Sequence, residues 1–540
     1  MSIYSPNSDI VLLSAPLNFG DANQIDFANA AAQLSYFSGI TGKMILTDYT
    51  YQRKDNYIRV PALAESLYKY NYCYYTNFNG KRIFAFITRI EFVNQNCTNV
   101  YIKTDVFQTW QFDFSFKQCT VIREHTETDL PYEHTLPEPI DAGEPREIYR
   151  YKATPYSLSA KTSTEFDTNY RVVFCLSESW GNTELAANMF GGVPKTAYYY
   201  GFDRAQVRAA VHSIVQHAGA DAIIAVYPVP IGALNWESVA GGFDNVAYYL
   251  PYDKDAQTVS VNIPVSGTVT GYGNFKNMKC LNFPYHYYRL WSANGDCIDL
   301  KPQNIYNAYS AHVLTLQSSY SGAVSPSVIV TPRYYDYNAF GDQSESGANF
   351  RYSVNYTDFP QIAIKTNVYE NFIAMNQNAL TMNKLRIGVN FLQNAARASV
   401  SYTKSIYGAG INTAMQSLDI AAQMRDLERQ PDNIKGSPQG NSLMLSGGGG
   451  VFISELACRP EYLAIVDDYF TQYGYYVHAL KTPQYKSRPN HNYIETLNCD
   501  IIADIPKDDA DELRKLFNNG LTVWHNPATF GNYSVNNAPV

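Results

Sequence analysis

The sequence predicts an α+β, β-rich protein: several barrel- or sandwich-like β domains, an inserted α/β lobe and a C-terminal helix–strand unit. Three observations predict it. Short runs of alternating apolar residues recur through residues 1–150 and again through 277–380. Between them, 151–276 mixes strand-like runs with one amphipathic helix, and 451–540 carries two well-punctuated helices separated by strands. A chain of 540 residues has room for roughly three to four domains. Its 46 tyrosines beside Asn-rich turns fit half-buried strands and broad protein contacts, because Tyr joins an apolar body to a polar tip.

Taken in order, Ile10 to Leu13 is a strand ended by Ala15-Pro16, and a short helix follows near 26–36 with Phe27, Ala30, Ala31 and Leu34 on one face. Residues 82–93 alternate so that Phe84, Phe86, Ile90 and Phe92 share a face; Asn94-Gln95-Asn96 turns the chain and 100–107 returns as a hairpin strand. Phe107, Trp110, Phe112, Phe114 and Phe116 form an aromatic ladder, read as strand core rather than as a binding platform. Glu124, His125, Glu127 and Asp129 invite an acid–base or metal reading, but no second cluster supplies an orienting partner. The four prolines of 130–148 mark an extended boundary.

In the lobe, Tyr170 to Leu176 reads as a strand and Gly191-Gly192-Val193-Pro194 as a turn. Asp203 caps a helix to about His217, with Ala205, Val207, Ala210, Val211, Ile214 and Val215 inward, and Ala222 to Val229 is the next strand. His212 and His217, five apart, do not share a helical metal face. Gly267, Gly271 and Gly273 lie between strand-like runs, which excludes a dinucleotide loop. Beyond 380 a helix is expected to about Arg397, then an Ala- and Gly-rich stretch, then a flexible segment ending at Gly447 to Gly450. A long irregular insertion of this kind, 381–450, is a candidate functional loop.

The C-terminal unit has the cleanest punctuation. A helix from Pro460 to Tyr473 places Leu463, Val466, Phe470 and Tyr473 at helical spacing, with Gly474 as its C-cap. Tyr475 to Leu480 is a strand. Tyr493 to Ile502 is a second, with Tyr493, Leu497, Cys499 and Ile501 on one face and Thr496, Asn498 and Asp500 on the other. A helix opens at Pro506 with Asp508, Asp509 and Asp511 in its first turn and Ala510, Leu513, Leu516 and Phe517 as its buried stripe; Asn519-Gly520 ends it, and Leu521 to Trp524 closes the unit as a strand.

Composition narrows the function. A formal charge of -8, from 41 basic and 49 acidic residues, is the reverse of a phosphate-gripping surface. The first residues, MSIYSPNSDIVLL, have neither a basic region nor an apolar core, so no signal peptide is expected. The longest apolar run, Ala222 to Leu234, has thirteen residues including Pro228 and Pro230, too few for a bilayer. Eight scattered cysteines without a C-x-x-C spacing read as free, buried thiols, and no metal or cofactor is expected.

The string EYLAIVDDYFTQYGYYV…NYIETLNCDIIADIPKDDADELRKLFNNGLTVWHNP resembles the C-terminal part of the tail-knob, or distal tail-tube, proteins of small short-tailed phages of the picovirus type, which replicate by protein priming. Other pieces are similar too. Gln108, Thr109, Trp110, Phe112 and Asp113 match a Q-T-[WY]-x-F-D element, and Ile122, Arg123, Glu124 and His125 follow where the family has V-x-R-E-H. Asn277 and Lys279 match an N-x-K element before an aromatic-Pro-Tyr, and 358–379 resembles an F-P…D-x-Y…N segment, with Asn367 where the family usually shows Asp. The resemblance covers roughly residues 10–125 and 277–530 in broken pieces.

The resemblance implies a structural virion protein, not an enzyme: a homo-oligomeric, hexameric ring forming the distal tube of a short tail, made in the host cytoplasm. It would contact the upper tail tube and tip or appendage proteins, and conduct double-stranded DNA during genome ejection. Residues 1–150, 277–380 and 451–540 would build the tube wall, around the inserted 151–276 lobe. The family implies that the 381–450 loop plugs the lumen and later acts on the host membrane. The residues that would carry this are Tyr407, Gly408, Ala409, Gly410, Ile411, Ala414, Met415, Leu443, Met444, Leu445, Gly447, Gly448, Gly449 and Gly450. Lys404, Asp419, Arg425, Asp426, Glu428, Arg429, Asp432 and Lys435 break this stretch, so no run nears the 18 or so apolar residues of a span. That argues against direct insertion and leaves a plug and a plain linker as open readings. Two further alternatives are a tail-borne glycosidase, which needs two carboxylates facing a cleft, and a receptor-binding appendage using the 151–276 lobe.

Overall fold

The computed structural model describes residues 9–367 apart from 53, 78, 127, 181–188, 191, 265–267, 270, 306–312, 323–325, 334, 336–351 and 358. It also describes 370–371, 426, 433–435, and 450–537 apart from 486–492 and 536. These residues divide into two units. One joins Met1–Arg146, Pro264–His286 and Ala457–Val540; the other joins Glu147–Ile263 and Tyr287–Leu456.

The first unit holds a seven-stranded antiparallel sheet in the order Met44–Leu46, Ile10–Leu13, Tyr72–Thr76, Arg82–Asn94, Cys97–Thr104, Tyr57–Val60, Thr50–Gln52. Both faces are covered. Ile10, Leu12, Ile58, Val60 and Val100 pack on one, and Val11, Leu13, Phe37, Tyr72, Phe84 and Trp524 on the other. That is why Ile10–Leu13 is apolar at every position. The long hairpin Arg82–Asn94/Cys97–Thr104 forms as expected, but its register shifts between Ile87 and Arg89 and again between Phe92 and Asn94. The first bulge sends Phe84 and Phe86 to one core and Ile90 to the other, and Phe92 ends up exposed, so the four residues do not share a face.

The first helix runs Ala30–Gly39, capped by Asn29, which accepts from the Ala32 amide at 2.9 Å. Its buried residues are Gln33 and Phe37; Ala30 and Ala31 face solvent, contrary to the apolar pattern. Phe107 and Trp110 sit on a short helix, Val106–Trp110, rather than on a strand, because Asp105 caps it by accepting from the Gln108 amide at 3.1 Å. The core role of the ladder holds for Phe107, Phe114 and Phe116, which pack against Phe517, while Phe112 is exposed.

A second sheet in this unit runs Asn23–Ile25, Leu521–Trp524, Tyr493–Leu497, Cys119–Glu124, Tyr475–Lys481. Asn23–Ile25 lies parallel to Leu521–Trp524, so the two ends of the chain share a sheet. Helix Lys507–Asn518 packs Leu513 and Phe517 under it, against Phe107, Ile494 and Val523. Helix Pro460–Tyr473 buries Leu463, Val466 and Phe470 as its spacing predicts, though Tyr473 is partly exposed. Gly474 ends it at φ 62, and a Cβ there would lie 2.3 Å from the Glu124 carbonyl oxygen, so only glycine fits. The expected strand 493–502 is broken. Asn498 adopts φ 56, which separates Tyr493–Leu497 from Ile501–Ala503, leaves Leu497 exposed and buries Thr496 and Cys499.

The second unit centres on an antiparallel five-stranded sheet, ordered Ile223–Pro230, Tyr170–Leu176, Tyr198–Phe202, Tyr248–Tyr252, Asn235–Val239. Helix Val207–Ala218 covers one face, where Ala210 and Ile214 meet Val172, Phe174, Trp180 and Phe202. The helix begins with the 3-10 turn Arg204–Gln206, and Asp203 pairs with Arg171 instead of capping it. On the opposite face, Tyr199 stands across from Cys175, and the Phe190 ring packs tilted against Tyr199 and edge-on to Tyr320. Tyr320 belongs to a four-stranded sheet, Gln257–Asn262, Val313–Ser321, Ser327–Pro332, Val354–Tyr356. Among the described residues, no helix is long and apolar enough to cross a membrane.

Candidate functional site

Three residues far apart in sequence meet inside the first unit. Arg123, near the end of Cys119–Glu124, pairs through its guanidinium with Glu138 and donates to the Gly474 carbonyl at 2.8 Å. Lys279 pairs with the same carboxylate, which also accepts from the Tyr476 amide at 2.9 Å. The side chains are 4%, 2% and 0% exposed for Arg123, Lys279 and Glu138. The guanidinium lies 5.0 Å from the Tyr469 ring centroid and 5.4 Å from that of Tyr476. The ammonium lies 5.3 Å from the Tyr475 centroid. Burial lowers the Lys279 pKa, and the charge of Glu138 opposes that shift.

Around this centre the polar groups are spent on chain segments. Asp467 accepts from the amides of Lys276 at 3.1 Å and Asn277 at 3.0 Å, and the Asn277 side chain donates back to the Asp467 carbonyl at 2.9 Å. Asp129 accepts from the Met278 amide at 2.9 Å and the Tyr475 hydroxyl at 2.8 Å; burial raises its pKa. Glu124 pairs with Lys481. His125 Nδ1 accepts from the Tyr493 amide at 3.2 Å, so Nε2 carries the proton facing the Thr471 carbonyl at 3.1 Å. Both ring nitrogens are therefore occupied by the backbone. Glu124, His125 and Asp129 do not converge on an open cleft, and Glu127 lies outside the described residues. Among the described residues there is no group of three or more His, Cys, Asp or Glu able to hold a metal.

A second buried network surrounds Gln108. Its side chain donates to the Ile25 carbonyl at 2.7 Å and to Gln24 at 3.0 Å, and accepts from Gln33 and Gln111 at 3.0 Å each. Asp105 accepts from Tyr72 at 3.0 Å. Thr109 bonds the Phe84 amide at 3.1 Å, and the Trp110 indole donates to Asp509 at 2.8 Å. The network locks the first helix to the short helix Val106–Trp110 and that helix to the C-terminal one.

The sequence singled out Arg123, Asn277, Lys279 and Gln108, and the structure gives each a buried bonding role. It missed Glu138 and Asp467. Glu138 sits in the Pro-rich stretch read as a boundary, where nothing local signals burial. Asp467 lies on the polar side of a helix whose apolar stripe drew the reading; its adjacency to the N-x-K element is purely tertiary.

Of the expected loop residues, Tyr407, Gly408, Ala409, Gly410, Ile411, Ala414, Met415, Leu443, Met444, Leu445, Gly447, Gly448 and Gly449 lie outside the described residues. Gly450 is described: it is buried at φ 128, and its carbonyl accepts from the Ala293 amide at 2.9 Å. The base of the loop is also described. Ile364–Thr366 pairs antiparallel with Asn433–Lys435, so the chain leaves and returns at one ladder. Just beyond it, Glu370 pairs with His212 on the lobe helix at 3.3 Å, and Asn371 accepts from the Ala220 amide just past that helix at 2.6 Å.

A family model described as "Bacillus phage phi29, Tail knob protein gp9, C-terminal domain" matches residues 254–538, more than half of the chain. The chain belongs to this tail knob family. A second model, "Caudoviral major tail protein N-terminus", matches residues 6–117. Both lie close to the two stretches of sequence resemblance. The tail knob protein gp9 of Bacillus phage B103 is 25% identical over 603 residues, covering 95% of each chain. That of phage phi29 is 24% identical over 600 residues, covering 98% of each. The structure of the tail knob protein gp12 of bacteriophage C1 superposes with a TM-score of 0.64, covering 98% of this chain and 100% of that one at 14% identity, which establishes a shared fold. The chain is thus a structural component of a short-tailed phage tail. Lys279 and Asp467 fall inside the first tail knob match, and Gln108 inside the second match.

Proposed function

We propose that this tail knob protein forms the distal tube of the tail as a closed homo-hexameric ring, conducts double-stranded DNA during genome ejection, and carries no catalytic activity of its own. One observation carries the reading: among the described residues, the charged motif residues Arg123 and Lys279 and the neighbouring Asn277 are consumed in buried bonds between chain segments rather than converging as an acid–base pair. Segments 1–150, 277–380 and 451–540 supply the tube wall, with 151–276 as an inserted lobe. The ring requires head-to-tail contacts that close. The net charge of -8 suits a conduit, since a basic lumen would hold DNA phosphates. The protein is made in the host cytoplasm and meets the upper tube and tip proteins during assembly.

Electron microscopy of the purified chain, with light scattering for mass, tests this. Six-fold hollow rings with a neutral to acidic lumen are expected. A strongly basic lumen would overturn the charge argument, and compact monomers that release sugar from cell walls would replace the conduit reading by the glycosidase one.

In this reading the 381–450 loop either plugs that tube or contacts the host membrane. What favours this for the part before Asn433 is a ladder: Ile364–Thr366 pairs with Asn433–Lys435, so the chain between them can be long at little closure cost. Replacing 373–425 by a short Gly/Ser linker should leave ring assembly intact and abolish release of dye from anionic lipid vesicles. Unchanged release would remove the membrane role.

A further inference from the structure

The first unit brings together two cysteines 380 positions apart, Cys119 and Cys499, close enough for each to act on the ionisation of the other. Their meeting follows from backbone geometry. The chain 114–120 runs antiparallel to 497–503, with Thr120 across from Leu497 and Phe116 across from Ile501, and the Lys117 amide donates to the Asp500 carbonyl at 2.9 Å. In an uninterrupted ladder the alternation that buries Thr496 would turn Cys499 outward. The φ of 56 at Asn498 removes one step, so Leu497 and Asn498 both face solvent and Cys499 points in, beside Cys119. Asn518 fixes this turn by accepting from the Cys499 amide at 2.9 Å and from the Thr496 hydroxyl at 3.0 Å. Both residues are almost fully buried.

We propose that Cys119 and Cys499 are a disulfide pair that closes by exchange with a low-molecular-weight disulfide. One protein thiolate attacks a sulfur of that disulfide and expels its first thiolate. The second protein thiol then loses its proton, attacks the protein sulfur of the mixed disulfide and expels the second. Two protein thiols are oxidised and one small disulfide is reduced to two thiols. Burial keeps both groups protonated, Cys499 up to about 12, so closure is slow and accelerates with pH. The cross-link rests on this geometry alone; its timing, after the tail leaves the reducing interior of a cell, rests on the tail assignment. The other cysteine neighbours, Cys280 and Cys458, are not equivalent, because the Cys280 thiol donates to Asp467 at 3.8 Å.

The test incubates the full-length protein with oxidised glutathione at about pH 8, near the ordinary thiol range, where exposed Cys297 reacts readily and the buried pair more slowly. Remaining thiols are then alkylated, and peptides mapped without reduction. The expected product is a Cys119–Cys499 cross-linked peptide, with a rise in the thermal midpoint that dithiothreitol reverses and that C119S and C499S lack. Exposed Cys297 supplies the internal clock. If Cys119 and Cys499 are both recovered as alkylated thiols once Cys297 is fully converted, the proposal fails. It fails equally if the cross-link found is Cys280–Cys458. The wild-type map decides the matter even if a serine variant does not fold.

Discussion

Glu138 is the only carboxylate paired with either Arg123 or Lys279 among the described ion pairs, so removing its charge leaves two buried cations without one. E138Q should cost about 3–5 kcal/mol, read from the denaturant midpoint. E133Q, at a half-exposed position, should cost nothing measurable. Asp105 sets a pH dependence. Burial pushes its carboxyl up to about 6 from an ordinary 3.8, against the hydrogen bonds from Gln108, Tyr72 and Gln24. The folded state thus binds this proton more tightly than the unfolded chain does. The stabilisation is full below 3.8 and is lost as pH rises through about 6. A shift of about two units corresponds to about 3 kcal/mol. Denaturation of wild type and D105N between about pH 4 and pH 7 should show that downward slope only in the wild type. Gly474 makes a third residue-scale case. G474A drives a methyl into the Glu124 carbonyl and should abolish soluble expression, while G39A, with open space around it, should be tolerated.

At the scale of elements, legibility followed local punctuation. Pro460–Tyr473 was readable to the residue because proline, an apolar stripe and glycine all agreed. The faces of 82–93 and 493–502 were misassigned because a bulge at Thr88 and a left-handed residue at Asn498 each shift the alternation by one, and neither alters the apolar pattern. Asn498→Val should lose about 1–2 kcal/mol, as a branched side chain is strained at this φ, whereas Asn498→Gly should be near neutral; thermal melts compare them. The helix at Val106–Trp110 was hidden behind its aromatic spacing. Its signal was present all the same, in Asp105 three residues before Gln108, the spacing of a helix cap.

For the whole molecule, the buried junctions were only half legible. Motif resemblance pointed to Arg123, Lys279 and Gln108, but no local pattern reveals that residues 123, 138, 279 and 476 share one site; that information is in the packing. Charge was legible throughout, and with -8 the free protein should not retain duplex DNA at physiological salt. Tight, steeply salt-dependent retention in a gel-shift titration would contradict the conduit.

The pairing of Asn23–Ile25 with Leu521–Trp524 also sets a clock on synthesis. The strand Asn23–Ile25 must wait for one made far later, with Trp524 donating to Asn23 across 501 positions. A ribosome that stops early therefore releases a chain with an unfinished sheet and an exposed core beneath it, marked for degradation rather than incorporation. Where one defective copy would spoil an assembly, closing this sheet late is a form of proofreading.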